Sequence, residues 1–312
     1  MVRLTVCLLL GALAALPSYG AKAPELSLED VRAAVREHWG AVRDLTVEDK
    51  VTRVEYRQVG PLPLPKQDKV TLSAKPNRWM AAPGLEYLEL WYGDRCARVS
   101  YNGSCTQWEG QRNAFGPYKG RVCEGNNVPN ADLTFSYYVG RFGRYSGLNH
   151  FLEAPQTRLV KANRHSNEIV YHRVRGVADV DIDGTVKPYE VTLDLAPDYG
   201  WLPFRAEFVD TASGQPVRVY KVRSFFNVDG FPFPREAQID FYATPVPAGN
   251  RTSTKAVLTT SLMCHVLNVA VNRGVGPGDF AFDFTPGTEV RDERSGETFV
   301  VPEELAPEMP AE

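Results

Sequence analysis

The residues between Asp179 and Glu190 have the composition of a cation site. Asp179-Val180-Asp181-Ile182-Asp183-Gly184, closed by Glu190, repeats the spacing D-x-D-x-D-G-x5-E. That spacing wraps carboxylate oxygens around calcium when it links two helices, and Val186 sits where such loops carry an apolar residue. Here the flanks, Ile169–Val174 and Tyr189–Leu195, alternate like strands, and Lys187 and Pro188 suit such a loop badly. The spacing therefore predicts a strand that ends in an Asp-Gly hairpin turn. Cys264 beside His265 pairs a nucleophile type with a base type, but neighbours on a strand point to opposite faces and cannot serve one another. Gly274-Val275-Gly276-Pro277-Gly278-Asp279 is glycine-rich, yet Pro277 lacks an amide donor and a strand pattern follows, which predicts a loop and not a phosphate cradle. His38, His150, His165, His172 and His265 show no short metal-ligand spacing, and no serine stands in a GxSxG elbow. Glu236 and Asp240 fall on a polar face. Asn102-Gly103-Ser104 and Asn250-Arg251-Thr252 match the glycan acceptor pattern. The residue types predict no enzyme, no catalytic residue, no metal and no cofactor.

The elements that would position these residues begin after an export signal. Arg3 precedes an apolar run from Leu4 to Leu16, and Ser18-Tyr19-Gly20 supplies small residues before a cut, placed after Gly20. The expected product is exported, periplasmic or extracellular, and soluble once residues 1–20 are removed. Removal takes away Cys7, leaving Cys96, Cys105, Cys123 and Cys264, and makes the formal charge of −3 slightly more negative. A weakly acidic chain without a basic cluster gives no reason to expect nucleic acid as a partner. In an oxidising compartment the cysteines can pair. An Asn102-Gly103 hairpin turn would set Cys105 opposite Ser100 and Cys96 opposite Glu109, too far apart to bond, which leaves Cys105 with Cys123, or four buried free thiols.

Ser27 to Val42 reads as one amphipathic helix with Leu28, Val31, Val35, Trp39 and Val42 on a single stripe, capped by Ser27 with Asp30. Strands are expected over Lys50–Val59, Lys69–Ala74, Arg78–Ala82, Tyr87–Tyr92, Ala97–Tyr101 and Thr106–Glu109. Residues 110–155 read as an irregular or lid-like insertion, briefly helical from Ser146 to Ala154. From Thr157 onward turn signals at Asp183-Gly184, Gly200, Ser213-Gly214, Asp229-Gly230 and Gly249-Asn250 bound long strands. Phe280-Ala281-Phe282-Asp283-Phe284 reads as the last of them, before a frayed tail over 301–312. Residues 21–300 are expected to form a single domain.

The long strands are apolar on one face only, as in Val191-Thr192-Leu193-Asp194-Leu195 and Phe204-Arg205-Ala206-Glu207-Phe208. Burying one Phe or Leu side chain contributes about 1.5–3 kcal/mol, so these faces need a cover. One helix covers only part of them. A second sheet, a closed barrel, the middle segment or an apolar ligand must supply the rest.

Three stretches resemble one family. Leu193-Asp194-Leu195-Ala196-Pro197-Asp198-Tyr199-Gly200-Trp201-Leu202-Pro203-Phe204-Arg205 resembles a recurrent segment of LolA-like exported proteins. Val228-Asp229-Gly230-Phe231-Pro232 resembles the next turn. Phe282-Asp283-Phe284-Thr285-Pro286-Gly287-Thr288-Glu289-Val290-Arg291-Asp292 resembles the closing strand and tail. With the signal peptide and the single helix before the strands, this is similar to the LolA/LolB-like lipoprotein carriers and the related sensor RseB. The resemblance implies a mainly β (α+β) fold, a strongly curved antiparallel sheet or incomplete barrel wrapped around a few helices. It also implies an apolar cavity holding lipid acyl chains or lipoproteins, and a membrane-associated partner protein. The side chains expected to line that cavity are Trp39, Trp79, Trp91, Leu193, Phe204, Phe208, Tyr220 and Val222. A ligand-free structural or interaction module of the same fold is the alternative, and an exported hydrolase a more remote one.

Overall fold

The structure is a computed structural model. It describes residues 26–59, 62–66, 70–111, 117–125, 148–166, 169–182, 185–243 and 255–303. The expected signal peptide, most of the middle insertion, the Asn250 acceptor and the end of the tail lie outside these residues.

Among them the chain forms α1 (Leu28–Gly40), β1 (Leu45–Val59), β2 (Leu62–Pro65), β3 (Val70–Thr71), β4 (Asn77–Ala82), β5 (Leu85–Tyr92), β6 (Arg95–Tyr101), β7 (Cys105–Gln111) and β8 (Tyr118–Glu124). Then come α2 (Leu148–Glu153), β9 (Arg158–Ser166), β10 (Ile169–Ile182), β11 (Thr185–Ala196), β12 (Leu202–Asp210), β13 (Pro216–Val228), β14 (Phe231–Ala243), β15 (Val257–Val271), β16 (Glu289–Asp292) and β17 (Glu297–Val300). Pairing runs β9-β10-β11-β12-β13-β14-β15-β1-β4-β5-β6-β7-β8-β16-β17, with β2 and β3 also on β1. Every pair is antiparallel except β8–β16. The result is one large open curved sheet, not closed into a barrel.

α1 begins as its sequence dictates. The Ser27 and Asp30 side chains and backbone amides cap one another, and Val31 and Val35 are fully buried. The inner sheet face follows from strand parity. Val174 on β10, Leu193 on β11 and Ala206 on β12 are cross-strand neighbours, and so are Tyr220 on β13 and Ile239 on β14. They share one core with Val31 and Val35 of α1 and Leu148, Phe151 and Leu152 of α2. A Cβ on Gly176 of β10 would lie 2.5 Å from Thr157 Oγ1 and 3.1 Å from the Phe151 ring, so the missing side chain is what lets α2 settle on the sheet.

The outer face differs between the two halves. Over β4–β8 it is covered by the chain's own segment after β15. Phe280 packs on Met80 and Tyr87, while Phe284 packs with Cys105, Val122 and Val290. Gly120 makes room, since a Cβ there would meet Phe284 and Val290 at 2.8 Å. Over β10–β15 the outer face carries cross-strand polar pairs: Arg173 with Asp194 (2.6 Å), Lys221 with Asp240 (2.9 Å) and Ser261 with Asp240 (2.6 Å).

Three expectations need correction. Phe280–Phe284 is not a strand. Its Phe280, Phe282 and Phe284 side chains pack on the outer face, and the next strand is β16, from Glu289. Residues 118–124, expected to be irregular, form β8, whose outer neighbour is the distant β16. The β6–β7 turn is centred on Gly103-Ser104, one residue later than expected, because Asn102 Oδ1 accepts from the Ser104 and Cys105 amides and Gly103 takes φ 95°. Ser100 therefore pairs with Gln107 and not with Cys105, while Arg98 and not Cys96 pairs with Glu109.

Candidate functional site

At the end of α1 a pocket of about 220 Å³ opens between the helix, the start of β1 and the β4–β5 hairpin. Its walls are Trp39, Val42, Leu45, Trp79, Ala81, Ala82, Pro83 and Leu85, with Arg43 and Asp44 as the polar lining. The α1–β1 junction that shapes it is clasped to the end of β15. Asn272, held at φ 55°, accepts the Arg43 amide through Oδ1 at 2.7 Å and donates to the Ala41 carbonyl at 3.0 Å. The buried Asp44 carboxylate accepts the amides of Arg273 (2.8 Å) and Gly274 (2.9 Å). Trp79 donates its indole N–H to Glu86 at 3.1 Å. The buried indole N–H of Trp39 has no hydrogen-bond partner among the described residues, and Arg43 forms no ion pair there. The groups left without a described partner at the pocket, the Trp39 N–H and the Arg43 guanidinium, are both donors, beside an Asp44 carboxylate that already holds two amides.

Of the side chains expected to line a cavity, Trp39 and Trp79 are brought together here. Leu193, Phe208 and Tyr220 are fully buried in the core against the helices, and Val222 packs at its margin. Trp91 lies on the outer face, where its indole N–H donates to Glu89 at 2.7 Å and Lys75 sits over the ring at 3.9 Å. A bulge opposite Asp194/Leu195 sets Phe204 edge-on to Tyr171, with ring centres 5.2 Å apart. Sequence reasoning missed Val42, Leu45 and the Ala81–Leu85 hairpin. The Pro83-Gly84 turn between two strand-like runs was the available signal.

Gly200 holds the helix end in place. It takes φ 66°, and His38 rests where its side chain would be. The His38 ring meets Trp39 and Phe231 edge-on, at 5.4 and 5.7 Å. His172, buried, stacks on Trp201 at 5.3 Å and accepts the Asn163 amide at 3.2 Å. Burial pushes the pKa of both imidazoles down. A depressed histidine is neutral in the fold, so its stability contribution is complete above the ordinary value of about 6.5 and is lost as pH falls from there through the folded-state values. The denaturant midpoint should therefore drop on acidification through this window, and the drop should shrink in His38→Gln and His172→Gln. An unchanged slope in both variants would assign the effect to other groups.

Of the calcium-like residues, Asp183 and Gly184 lie outside the described residues; Asp179 and Glu190 stand on different strands, β10 and β11, and Glu190 pairs with Arg175. No group of three or more His, Cys, Asp or Glu is placed to hold a metal among the described residues. Cys264 is buried and its thiol donates to Asp49, which also accepts from Asn77 at 3.0 Å, whereas His265 is exposed, 3.5 Å from Glu236. No disulfide joins Cys96, Cys105, Cys123 or Cys264 among the described residues. The pairing of Cys105 with Cys123 is corrected by the register: Cys105 lies opposite Glu124 and Cys123 opposite Thr106, so the two side chains leave opposite faces. No helix among the described residues is long and apolar enough to cross a membrane.

No protein-family model matches the sequence, and no curated protein matches it. Among solved structures the chain is similar to a LolA superfamily protein from Nitrosomonas europaea, with TM-score 0.46 and 9% identity over 83% of this chain and 99% of that one. It is also similar to a DUF1329 family protein from Desulfovibrio piger, with TM-score 0.43 and 9% identity over 82% and 98%. Lipoprotein LppX from Mycobacterium tuberculosis follows at 0.29 and 10%, over 80% and 98%. All three likenesses lie below a TM-score of 0.5.

Proposed function

We propose that the protein is an extracytoplasmic binding protein that takes up a lipid acyl chain, free or attached to a protein, at the Trp39–Trp79 pocket. The observation that carries the reading is a largely apolar recess beside the end of α1, lined by two tryptophans, where the Trp39 N–H and the Arg43 guanidinium are donors without a described partner. Each buried CH₂ contributes about 0.8 kcal/mol, and the two donors suit a carbonyl, carboxylate or phosphate head. The pocket is smaller than the ~300–1,000 Å³ usual for a small-molecule site. It therefore admits the end of a chain, and a whole chain requires the C-terminal end of α1 to lift. Protein purified without detergent should change its tryptophan fluorescence on titration with dodecanoate. Ala81→Phe, which fills the recess, should weaken binding at least about tenfold, the loss of roughly two buried methylenes. Absence of any chain binding would refute the reading. The dense contact of Val31, Val35, Phe151 and Leu152 with the inner face favours the second reading, a ligand-free interaction module, which that outcome would leave standing.

A further inference from the structure

We propose that the outer side of the β9–β10 edge docks on an anionic lipid bilayer. β9 is a terminal strand: among the described residues it pairs with β10 alone. The register sets Arg158 opposite Arg175, Lys161 opposite Arg173 and Arg164 opposite Tyr171. Arg173 and Arg175 share the outer face because their neighbours Val174 and Gly176 are buried inward. Arg158, Lys161 and Arg164 therefore project from that same face. Like charges directly opposite destabilise a sheet, so the arrangement costs the isolated molecule something.

The inner members of this cluster are already neutralised. Arg173 holds Asp194, and Arg175 holds Glu190. Arg158, Lys161 and Arg164 are exposed and make no ion pair among the described residues. Of the other acids on this face, Asp179 lies beyond the end of β9. Among the described residues the edge thus presents three cations without an ion pair in a strip, with Val160 exposed between the first two.

Several features select the partner. Two register shifts and the left-handed Asn163 interrupt the β9 ladder, so a further strand has no regular edge to join. A strip of cations spaced along an extended strand fits a plane of phosphate head groups, which needs no shape complementarity. Each Lys or Arg at such a surface contributes roughly a factor of five in affinity, and salt screens the contribution.

The test is co-sedimentation of the full mature chain with phosphatidylcholine vesicles, with and without phosphatidylglycerol. Binding is expected only with phosphatidylglycerol, should fall with added salt, and should weaken by about two orders of magnitude in the Arg158→Gln/Lys161→Gln/Arg164→Gln variant. These side chains are exposed, and an unchanged melting temperature confirms that the variant is folded. Vesicle binding that is absent, insensitive to salt or unaffected by the triple replacement would overturn the proposal. So would binding to immobilised polyglutamate without binding to the vesicles, which would assign the edge to an acidic protein.

Discussion

Replacing Glu109 with alanine is expected to destabilise the protein by about 3–5 kcal/mol, the cost of leaving a buried charge and its donors without their partner. Glu109 of β7 is almost wholly buried. It accepts from Arg98 Nε at 3.0 Å, from the Thr285 amide and hydroxyl at 2.6 and 3.1 Å, and from the Thr288 hydroxyl at 2.9 Å. Arg98 in turn donates to the Asp283 carbonyl at 3.1 Å and lies over the Phe282 ring. One carboxylate therefore fastens the segment after β15 to the outer face of β6 and β7. Its loss should show both as a lower denaturant midpoint and as early proteolysis between Gly274 and Thr288. Glu109→Gln keeps the shape and several acceptor contacts, and should cost less. Equal loss in the two variants, or cleavage elsewhere first, would contradict this account.

Gly200→Ala is the second large effect, expected at about 2–5 kcal/mol. The left-handed backbone alone costs an alanine about 1–2 kcal/mol. The new Cβ would lie 2.2 Å from His38 Nε2, and overpacking adds about 1–3 kcal/mol. His38 cannot swing aside cheaply, because Trp39 and Phe231 flank it. The His38→Ala background removes the clash and keeps the backbone strain. In a double-mutant cycle it should recover the overpacking part and no more. Full additivity would place the cost elsewhere. Since His38 adjoins Trp39, the same variant should also shift the fluorescence of the pocket tryptophans.

Much of this architecture was legible in local patterns. Ser27 with Asp30 announced the start of α1, and alternation announced β11, β12 and β13, whose faces divide as their residues alternate. The failures share one physical origin. Phe280, Phe282 and Phe284 alternate like a strand, yet what they pack on is the flat side of another part of the sheet. β8 carries Lys119, Gly120 and Arg121 in its middle, and only the remote β16 and Phe284 make sense of them. The pocket joins 39–45 to 79–85 across a strand pairing that no local spacing encodes. Trp39 and Trp79 were legible as large aromatics near that end, whereas the outward turn of Trp91 depends on a parity set by its neighbours.

The position of β1 governs the order in which the molecule can assemble. Strands β9 to β15 join by successive hairpins, as do β4 to β8, so each half can zip from contacts close in sequence. Among the described strands β1 joins the halves, with Leu45 against Val271 on one side and against Ala81 on the other. A chain emerging N-terminus first therefore carries β1 with one bare edge until most of its last third is made. Closing so long a loop is slow, and the seam should be the last long pairing to form. Interruption before residue 257 would leave β1 and β14 as open, apolar-faced edges, which makes this joint the place where a nascent or truncated chain is most exposed to aggregation.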